Sequence, residues 1–591
     1  MNTMFLSNSI KNTRWNLLVA CLGIWCGMYG QEPVYMNITK KFLAIPQTFQ
    51  DSIGESKVRV TVEGDNYLYE PMNFSHEGKQ WWSNLDMSQY QGKNITLFNI
   101  PEYMAGQIQQ SNTIVGHPNL YKEINRPQFH PSFRHGVLGD PTAKFYYAPK
   151  DEWHMFFIYN PFRGKEVSWG HMVSKDLIHW EERPPVYAFK HKIFNGTGFV
   201  DTRNHLGLNE NGQQAIVLLQ PIVGQKGGTF SYSISTDGGE NFEPVNTIRE
   251  KRNRQDLPEN PLASGWHDAP RIYWSEENQQ YVLYLKRAYQ VVHQYISKDL
   301  KTWTQIEDVP AIPESFTFEG DPGELVDMTL VEDPKQKFTV VMYGLHGYIV
   351  GQYTAKGMVN LNGEPIDKDD LILTAHFGYP TIFHNPKDGR VIMSQNLGNN
   401  GVGGIPNYEF NYYPDVSFPV ELTLHESKEG PRLRFNPISE IQSLYGKKHS
   451  FSGFTVKEKE HSVDTKKVKG HTYRMQLTLK PENTEQFGIR IYGSSITYDL
   501  KHQMLAVDTK ANDPKTDRKR RKLELNPDGT LTLDILVDRT SLEVFANEGQ
   551  IYIPHGRQKL YEATNDGIKI FTKGGKVKVT SLSVTELKSI W

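Results

Sequence analysis

At 591 residues the chain is too long for one hydrophobic core, so about two to four domains are expected. Aromatic residues make up 12% of it, with 48 Gly and 33 Pro, and apolar residues rarely recur at helical spacing, which excludes a helical bundle and points to strands joined by turns. A formal net charge of -2 gives no reason to expect nucleic acid or an anionic membrane surface as partner and suits a neutral one.

The chain opens with Lys11 and Arg14, followed by an apolar run from Trp15 to Tyr29 that ends in small residues before Gln31. The run is short for a bilayer span and placed as an export signal is, so residues 1–30 are read as a signal peptide and the protein as periplasmic or extracellular. A buried first helix is the alternative. Leu18-Val19-Ala20-Cys21 also fits a lipoprotein cleavage box, which would anchor the protein to a membrane by lipid, but so early a cut leaves the signal's apolar core stunted. Cys21 and Cys26 both lie in this segment, so a chain cut near Gly30 has no thiol for disulfides or thiolate metal sites.

Residues 31–120 read as short strands: Lys41-Phe-Leu-Ala-Ile, Lys57-Val-Arg-Val-Thr-Val, Asn66-Tyr-Leu-Tyr and Asn94-Ile-Thr-Leu-Phe. Turns such as Glu63-Gly64-Asp65 separate them, which makes a small N-terminal β-sandwich-like domain. Trp81-Trp82 is either a platform for stacking sugars or, as the plainer reading, filler for a small core.

A repeat sets in at Asn125. The turn Ser174-Lys-Asp-Leu-Ile-His-Trp180 returns as Ser235-Thr-Asp-Gly-Gly-Glu-Asn-Phe242 and as Ser297-Lys-Asp-Leu-Lys-Thr-Trp303, with a weaker echo at Thr354. Each turn follows an apolar strand, and the period is about sixty residues, the mark of sheets repeated radially around an axis. Residues 121–440 have room for five such units, a five-bladed β-propeller. Asp140, Asp201, Asp268 and Glu324 each precede a turn by roughly thirty residues, so equivalent radii would bring several carboxylates to one mouth of the channel. Asp140 itself reads as part of a turn ahead of the aromatic strand Lys144-Phe-Tyr-Tyr. Asp176, Asp237 and Asp299 belong to the repeated turns and are structural.

Beyond the propeller, residues 441–591 form a second all-β segment, a C-terminal β-sandwich. Its strands include Met475-Gln-Leu-Thr-Leu-Lys, Phe487-Gly-Ile-Arg-Ile-Tyr and Leu531-Thr-Leu-Asp-Ile-Leu-Val, which alternate with period two. The basic run Lys515 to Lys522 sits alone in a balanced chain and reads as a solvated hairpin loop rather than a nucleic-acid patch.

Converging carboxylates, aromatic walls, export and the absence of thiols together point to glycoside hydrolysis, in which one acid protonates the leaving oxygen and a second carboxylate attacks or activates water. The order of Arg126-Pro-Gln-Phe-His130, Asp140-Pro141, Tyr159-Asn-Pro-Phe162, Trp169-Gly-His171 and Ser174 to Trp180 resembles the catalytic module of family 32 glycoside hydrolases, which includes invertases, levanases and inulinases. Asn195-Gly-Thr-Gly-Phe-Val-Asp201, Trp266-His-Asp268, Gly323-Glu324-Leu-Val-Asp327, Phe418-Pro-Val-Glu-Leu and Leu536-Val-Asp-Arg-Thr-Ser-Leu-Glu-Val-Phe545 extend the resemblance to about residue 590. The resemblance implies that Asp140 is the nucleophile, Glu324 the general acid/base and Asp268 the acid that steadies the transition state. Glu319 is the rival to Glu324, but only Glu324 followed by Asp327 keeps the family's acid-x-x-Asp spacing. His267, Trp169, Tyr159, Asn160, Thr197 and Asp327 are the implied substrate-binding residues. The scheme calls for no metal and no cofactor.

The chain departs from the family pattern where sugars are oriented. Gly139 replaces an Asn before the nucleophile, Ile158 a Gln before Tyr-Asn-Pro, His267 an Arg, and Leu325 a Cys, while Ala269 interrupts Asp-Pro. Loss of groups that bond substrate hydroxyls is costly for an unchanged substrate. The activity the resemblance implies is the release of β-fructofuranosyl units from fructans or sucrose-like oligosaccharides, with the reaction type more firmly marked than the substrate. The alternatives are action on another furanoside, transfer of the glycosyl unit, or a carbohydrate-binding propeller without catalysis.

Overall fold

The computed structural model describes residues 32–48, 59–63, 66–69, 80–100, 102–123, 126–161, 168–186, 192–193, 195–223, 229–245, 267–287, 291–306, 309–310, 324–343, 347–355, 357–375, 378–397, 412–413, 416–466, 468, 471–508, 519–556 and 567–591. The proposed signal with Cys21 and Cys26, Glu319, Trp266, Phe162 and Lys515 to Arg518 lie outside these residues, and at Trp81, His267 and Asp268 only the backbone is described.

In the N-terminal part, Asn94–Phe98 turns Ile95 and Leu97 inward and its polar neighbours outward, the signature of a strand with one buried face. It is flanked by Val34–Asn37 and Arg59–Val62, with Asn66–Tyr69 beyond, in a four-stranded sheet. A three-stranded sheet of Gln80–Asp86, Phe42–Thr48 and Gln109–Ser111 supplies Leu43, Ile45 and Leu85 to the same core. Trp82 is half-buried, its indole against Gly116.

Five sheets follow, antiparallel except where Tyr412–Tyr413 joins the first in parallel, each a blade whose inner strand comes first. The inner strands are Gly136–Tyr147, Thr197–Val200, His267–Ser275, Leu325–Thr329 and Gly378–Ile382. The first touches both the second and the fifth, so the sheets form a ring. Closure is made by backbone: His384 N–H donates to Lys144 O and Tyr146 N–H to His384 O, both at 2.9 Å. The fifth blade also contributes Val391–Asn396, Val420–His425 and Arg432–Pro437. Asp140 is part of the first inner strand rather than of a turn before it; the strand bulges between Leu138 and Pro141 and again before Lys144, which re-aims the side chains between.

The repeated turns owe their shape to the aspartates. Asp176 accepts the N–H groups of Ile178 and His179, Asp237 those of Glu240 and Asn241, and Asp299 those of Lys301 and Thr302. The residue after each Asp is left-handed, with φ of 64° at Leu177, 76° at Gly238 and 63° at Leu300. Only Gly adopts that conformation without strain; the two leucines are held there because their side chains are buried.

The strands of the C-terminal β-sandwich, eleven among the described residues, are hydrogen-bonded into one continuous network arranged around a single long strand, Ile568–Leu587. That strand pairs with Tyr445–Phe451, Phe454–Ser462, Tyr473–Glu482 and Gln486–Ile491. Arg520–Lys522 is a short strand paired with Met504–Val507, which corrects the reading of that end of the basic run as loop. Two motifs of the family resemblance interlock where this sheet meets the propeller. The fully buried His130 contacts Asp538 through Nδ1 at 2.7 Å and Glu543 through Nε2 at 2.5 Å. Asp538 also accepts the N–H groups of Gln128 and Phe129, and Glu543 that of Phe418 at 2.8 Å. Arg134 bonds Glu182 and lies 3.6 Å from Asp86 of the N-terminal sheets.

Candidate active site

The bulged inner strand of the first blade buries Asp140 between neighbours from two other blades. Asn396 Nδ2 donates to its Oδ1 at 3.1 Å and Asn195 Nδ2 to its Oδ2 at 3.5 Å. Asn396 ends the second strand of the fifth blade, and Asn195 stands just ahead of the inner strand of the second. Two amide donors on one carboxylate fix its rotation.

Glu324 immediately precedes the inner strand of the fourth blade, and its side chain is only 1% exposed. Arg271 of the third blade approaches Oε1 at 3.3 Å, and His384 of the fifth approaches Oε2 at 3.4 Å. Arg271 Nη1 also donates to Gly196 O at 2.6 Å, so the cation beside Glu324 is braced against the residue that follows Asn195. The two acids are thus linked through Asn195, Gly196 and Arg271. Asp268 lies on the backbone of the same third-blade strand, opposite Lys286, and His267 is opposite Arg287.

Around these groups lie buried polar atoms that make no hydrogen bond among the described residues: Thr142 Oγ1, Asn195 Oδ1 and Thr197 Oγ1, beside Arg271 Nε, Glu324 Oε2 and His384 Nε2, which meet only in the ion pairs of Glu324. Buried polar groups are ordinarily satisfied, so the unpartnered atoms of the first and second blades, beside the Glu324 ion pairs of the other three, suit a hydroxyl-rich ligand or water. Among the described residues no group of three or more His, Cys, Asp or Glu side chains is arranged to hold a metal.

Thr197 belongs to this cluster. Trp169 is fully buried, its indole packed against Gly196 at a distance that leaves no room for a Cβ, so it supports the Asn195-Gly196-Thr197 segment from beneath. Tyr159 is buried edge-on against Phe133 with ring centroids 4.5 Å apart, its hydroxyl 3.4 Å from His135 Nδ1. Asn160 is buried opposite Val137. Asp327 ties blades together, accepting from Tyr273 at 2.6 Å and Thr339 at 2.8 Å. Trp169, Tyr159 and Asp327 are therefore engaged within the protein.

Asp201 corrects the expectation of four converging acids. It follows the inner strand of the second blade and accepts the N–H groups of His205 at 3.0 Å and Leu206 at 2.8 Å, a local turn cap. Gly198 of that strand lies against Ala143, which places Asn195 rather than Asp201 level with Asp140. Arg271, His384 and Asn396 were not singled out from sequence. A lone cation ahead of the apolar Ile272-Tyr-Trp was a signal for Arg271, while nothing marks the phase of the fifth blade.

Acids and hydroxyl-binding groups gathered at the centre of a propeller, with a β-sandwich clamped to its side, define a carbohydrate-cleaving enzyme. Residues 130–437 match the family description "Glycosyl hydrolases family 32 N-terminal domain", and residues 440–586 match "Glycosyl hydrolases family 32 C terminal". A levanase of Bacillus subtilis (strain 168) is 26% identical over 507 residues, which span 80% of this chain and 72% of the levanase. An extracellular exo-inulinase of Aspergillus niger (strain CBS 513.88) is 24% identical across 81% of this chain and 97% of its own length. The crystal structure of exo-inulinase from Aspergillus awamori has the same fold, with a TM-score of 0.67 at 20% identity, covering 80% of this chain and all of that one. The chain belongs to glycosyl hydrolases family 32. It is a glycosidase, hydrolysing O-glycosyl bonds.

Proposed function

We propose that the chain is a retaining glycoside hydrolase that releases β-fructofuranosyl units from fructans or sucrose-like oligosaccharides. The observation that carries this reading is the pair of buried carboxylates, Asp140 and Glu324, held by different blades with a cluster of unsatisfied polar atoms around them. The levanase and inulinase names of the relatives supply the sugar.

In the proposed reaction Asp140, its carboxylate steadied by Asn396 and Asn195, attacks the anomeric carbon, and the C–O bond to the leaving group breaks. Glu324 gives its proton to the departing oxygen. Its Oε2, 3.4 Å from His384 Nε2, makes no hydrogen bond to any described residue and is the oxygen that would do so. Water then attacks the anomeric carbon of the glycosyl ester as Glu324 takes a proton from it, and Asp140 is released with the sugar's configuration retained. Asp268 bonds sugar hydroxyls and steadies the transition state, whose positive charge is shared by the anomeric carbon and the ring oxygen, and Thr197 and His267 complete the binding of the hydroxyls.

Levan, inulin, sucrose and arabinofuranosides tested in parallel on wild type, Asp140→Asn and Glu324→Gln decide the matter. The expected result is fructose release by wild type and a loss on the order of 10³-fold or more in both variants. Release of a different sugar would overturn the substrate assignment and leave the two acids in place. One observation favours that second reading: Gly139 and Ile158, which replace sugar-orienting residues of the family, pack on each other.

We further infer the division 1–30 signal peptide, 31–120 N-terminal β domain, 121–440 catalytic propeller and 441–591 sandwich, in an exported protein. No described helix is long and apolar enough to cross a membrane. N-terminal sequencing of the secreted chain should begin near Gln31; labelling at Cys21 by a lipid precursor would replace free export with an anchored form.

A further inference from the structure

Lys144 lies on the first inner strand, four residues past Asp140, with its side chain wholly inside the protein. Its ammonium donates to Ser394 O at 2.8 Å, to Thr381 O at 3.3 Å and to Ser394 Oγ. All three acceptors belong to the fifth blade, and none is charged. An ammonium buried on neutral acceptors is an expensive way to close a ring that an apolar side chain of similar length would also close.

What the lysine holds gives it a role. Ser394 and Asn396 are two residues apart on one strand and so face the same way, and Asn396 is the donor to Asp140 Oδ1. The backbone oxygen of Lys144 accepts the N–H of His384, whose ring reaches Glu324 Oε2. The Lys144 ammonium also lies 5.5 Å from the ring centroid of Phe383, the residue before His384. Burial lowers the pKa of Lys144 well below the ordinary lysine range, the charge of Glu324 opposes that shift and the charge of Arg271 adds to it, so the ammonium and the proposed acid lie in each other's field.

We propose that Lys144 is a positioning residue of the glycosidic reaction. By fastening the first blade to the fifth at the seam of the ring, it sets Asn396 against Asp140 and His384 against Glu324, and so orients both carboxylates from one point. The inference rests on the assignment of Asp140 and Glu324 as the reacting acids.

Lys144→Met keeps the length and loses the ammonium; Ser394→Ala removes one acceptor only. Crystal structures of the two variants are the first readout and need no substrate. The expected result is that the 3.1 Å contact from Asn396 to Asp140 and the 3.4 Å approach of His384 to Glu324 lengthen in Lys144→Met. On a substrate that wild type cleaves, kcat should fall about tenfold to a hundredfold with KM within about threefold, because misplaced reacting groups slow chemistry more than binding. Ser394→Ala should lose about threefold to tenfold in kcat, a partial effect of the same kind. Unmoved Asn396 and His384 with wild-type kcat in a folded Lys144→Met would overturn the proposal. If that variant does not fold, wild-type geometry and kcat in Ser394→Ala would overturn it equally. A wild type that releases no fructose would refute the substrate assignment, while the crystallographic comparison would still decide the role of Lys144.

Discussion

A Cβ placed on Gly139 would lie 2.9 Å from Ile158 Cβ, closer than packed carbons come. The two substitutions beside the nucleophile that look independent along the chain are therefore one packing event, in which the isoleucine occupies space that a side chain at 139 would need. Gly139→Asn alone should overpack this wall and cost about 1–3 kcal/mol. Adding Ile158→Ala should return most of that loss, a non-additivity that thermal denaturation of the single and double variants would show. Equal melting temperatures for wild type and Gly139→Asn would refute the coupling. The sequence displayed both departures but not their contact, because strand register across a bulge is not written in local pattern. Asn396 illustrates the same gap: it is distant in sequence from Asp140 and carries no motif of its own. Asn396→Ala should leave the fold intact and reduce kcat by about tenfold, since the carboxylate of Asp140 is less firmly oriented once that donor is lost.

At the scale of strands and turns, the repeat was legible because three aspartates perform the same local task. Each caps its turn by accepting backbone N–H groups two to four residues on, a short-range interaction that sequence spacing does encode. Asp237→Ala should accordingly cost about 1–2 kcal/mol in thermal unfolding while leaving kcat unchanged. Phase was harder to read than period. Asp201 kept step with the catalytic acids along the chain yet caps a turn at the far end of its strand, since inner strands of unequal length shift the count. A second local feature joins the first two blades: the buried rings of His154 and His171, 2.9 Å apart between nitrogens, packed beneath Gly239. Burial pushes His154 down to about 3, helped by Arg183, Lys150 and Lys175, and burial with the neighbouring His154 holds His171 well below the ordinary histidine range. Both rings are neutral in the folded state. Their contribution to stability is full above the unfolded value near 6.5 and is lost as pH falls from there toward 3, where the unfolded chain takes up protons that the folded one refuses. His154→Gln should flatten the decline of melting temperature between pH 6.5 and about 4. A decline unchanged from wild type would assign it to other groups.

Across the whole molecule, the sequence motifs that looked like markers of a family prove to be the two halves of a clasp. His130 opposes burial with two carboxylates and is raised to about 10, while the bonds from His130 and the backbone hold Asp538 below its ordinary value against burial. The imidazolium's contribution is complete below pH 6.5 and is lost as pH rises through about 10; that of Asp538 is present above its ordinary value of 3.8 and is lost as pH falls through its folded value. Removing one partner of such a buried set costs about 3–5 kcal/mol, so His130→Gln should destabilise strongly at pH 6 and progressively less toward pH 10. A penalty independent of pH would show that the ring acts by packing alone. The propeller and sandwich were legible because their alternation is local and repeated. The clasp was not, because its two sides are separated by almost the entire catalytic ring.

The strand Ile568–Leu587 serves as the spine to which four others attach, and translation delivers it after every other described strand. Until it leaves the ribosome Tyr445–Phe451 and Phe454–Ser462 lack the strand they pair with, and the strand pairs of Tyr473–Glu482 and Gln486–Ile491 are not joined to each other, although every proposed reacting group has already been made. A stop codon just upstream of Ile568 would thus abolish a protein whose chemical machinery had been synthesised in full.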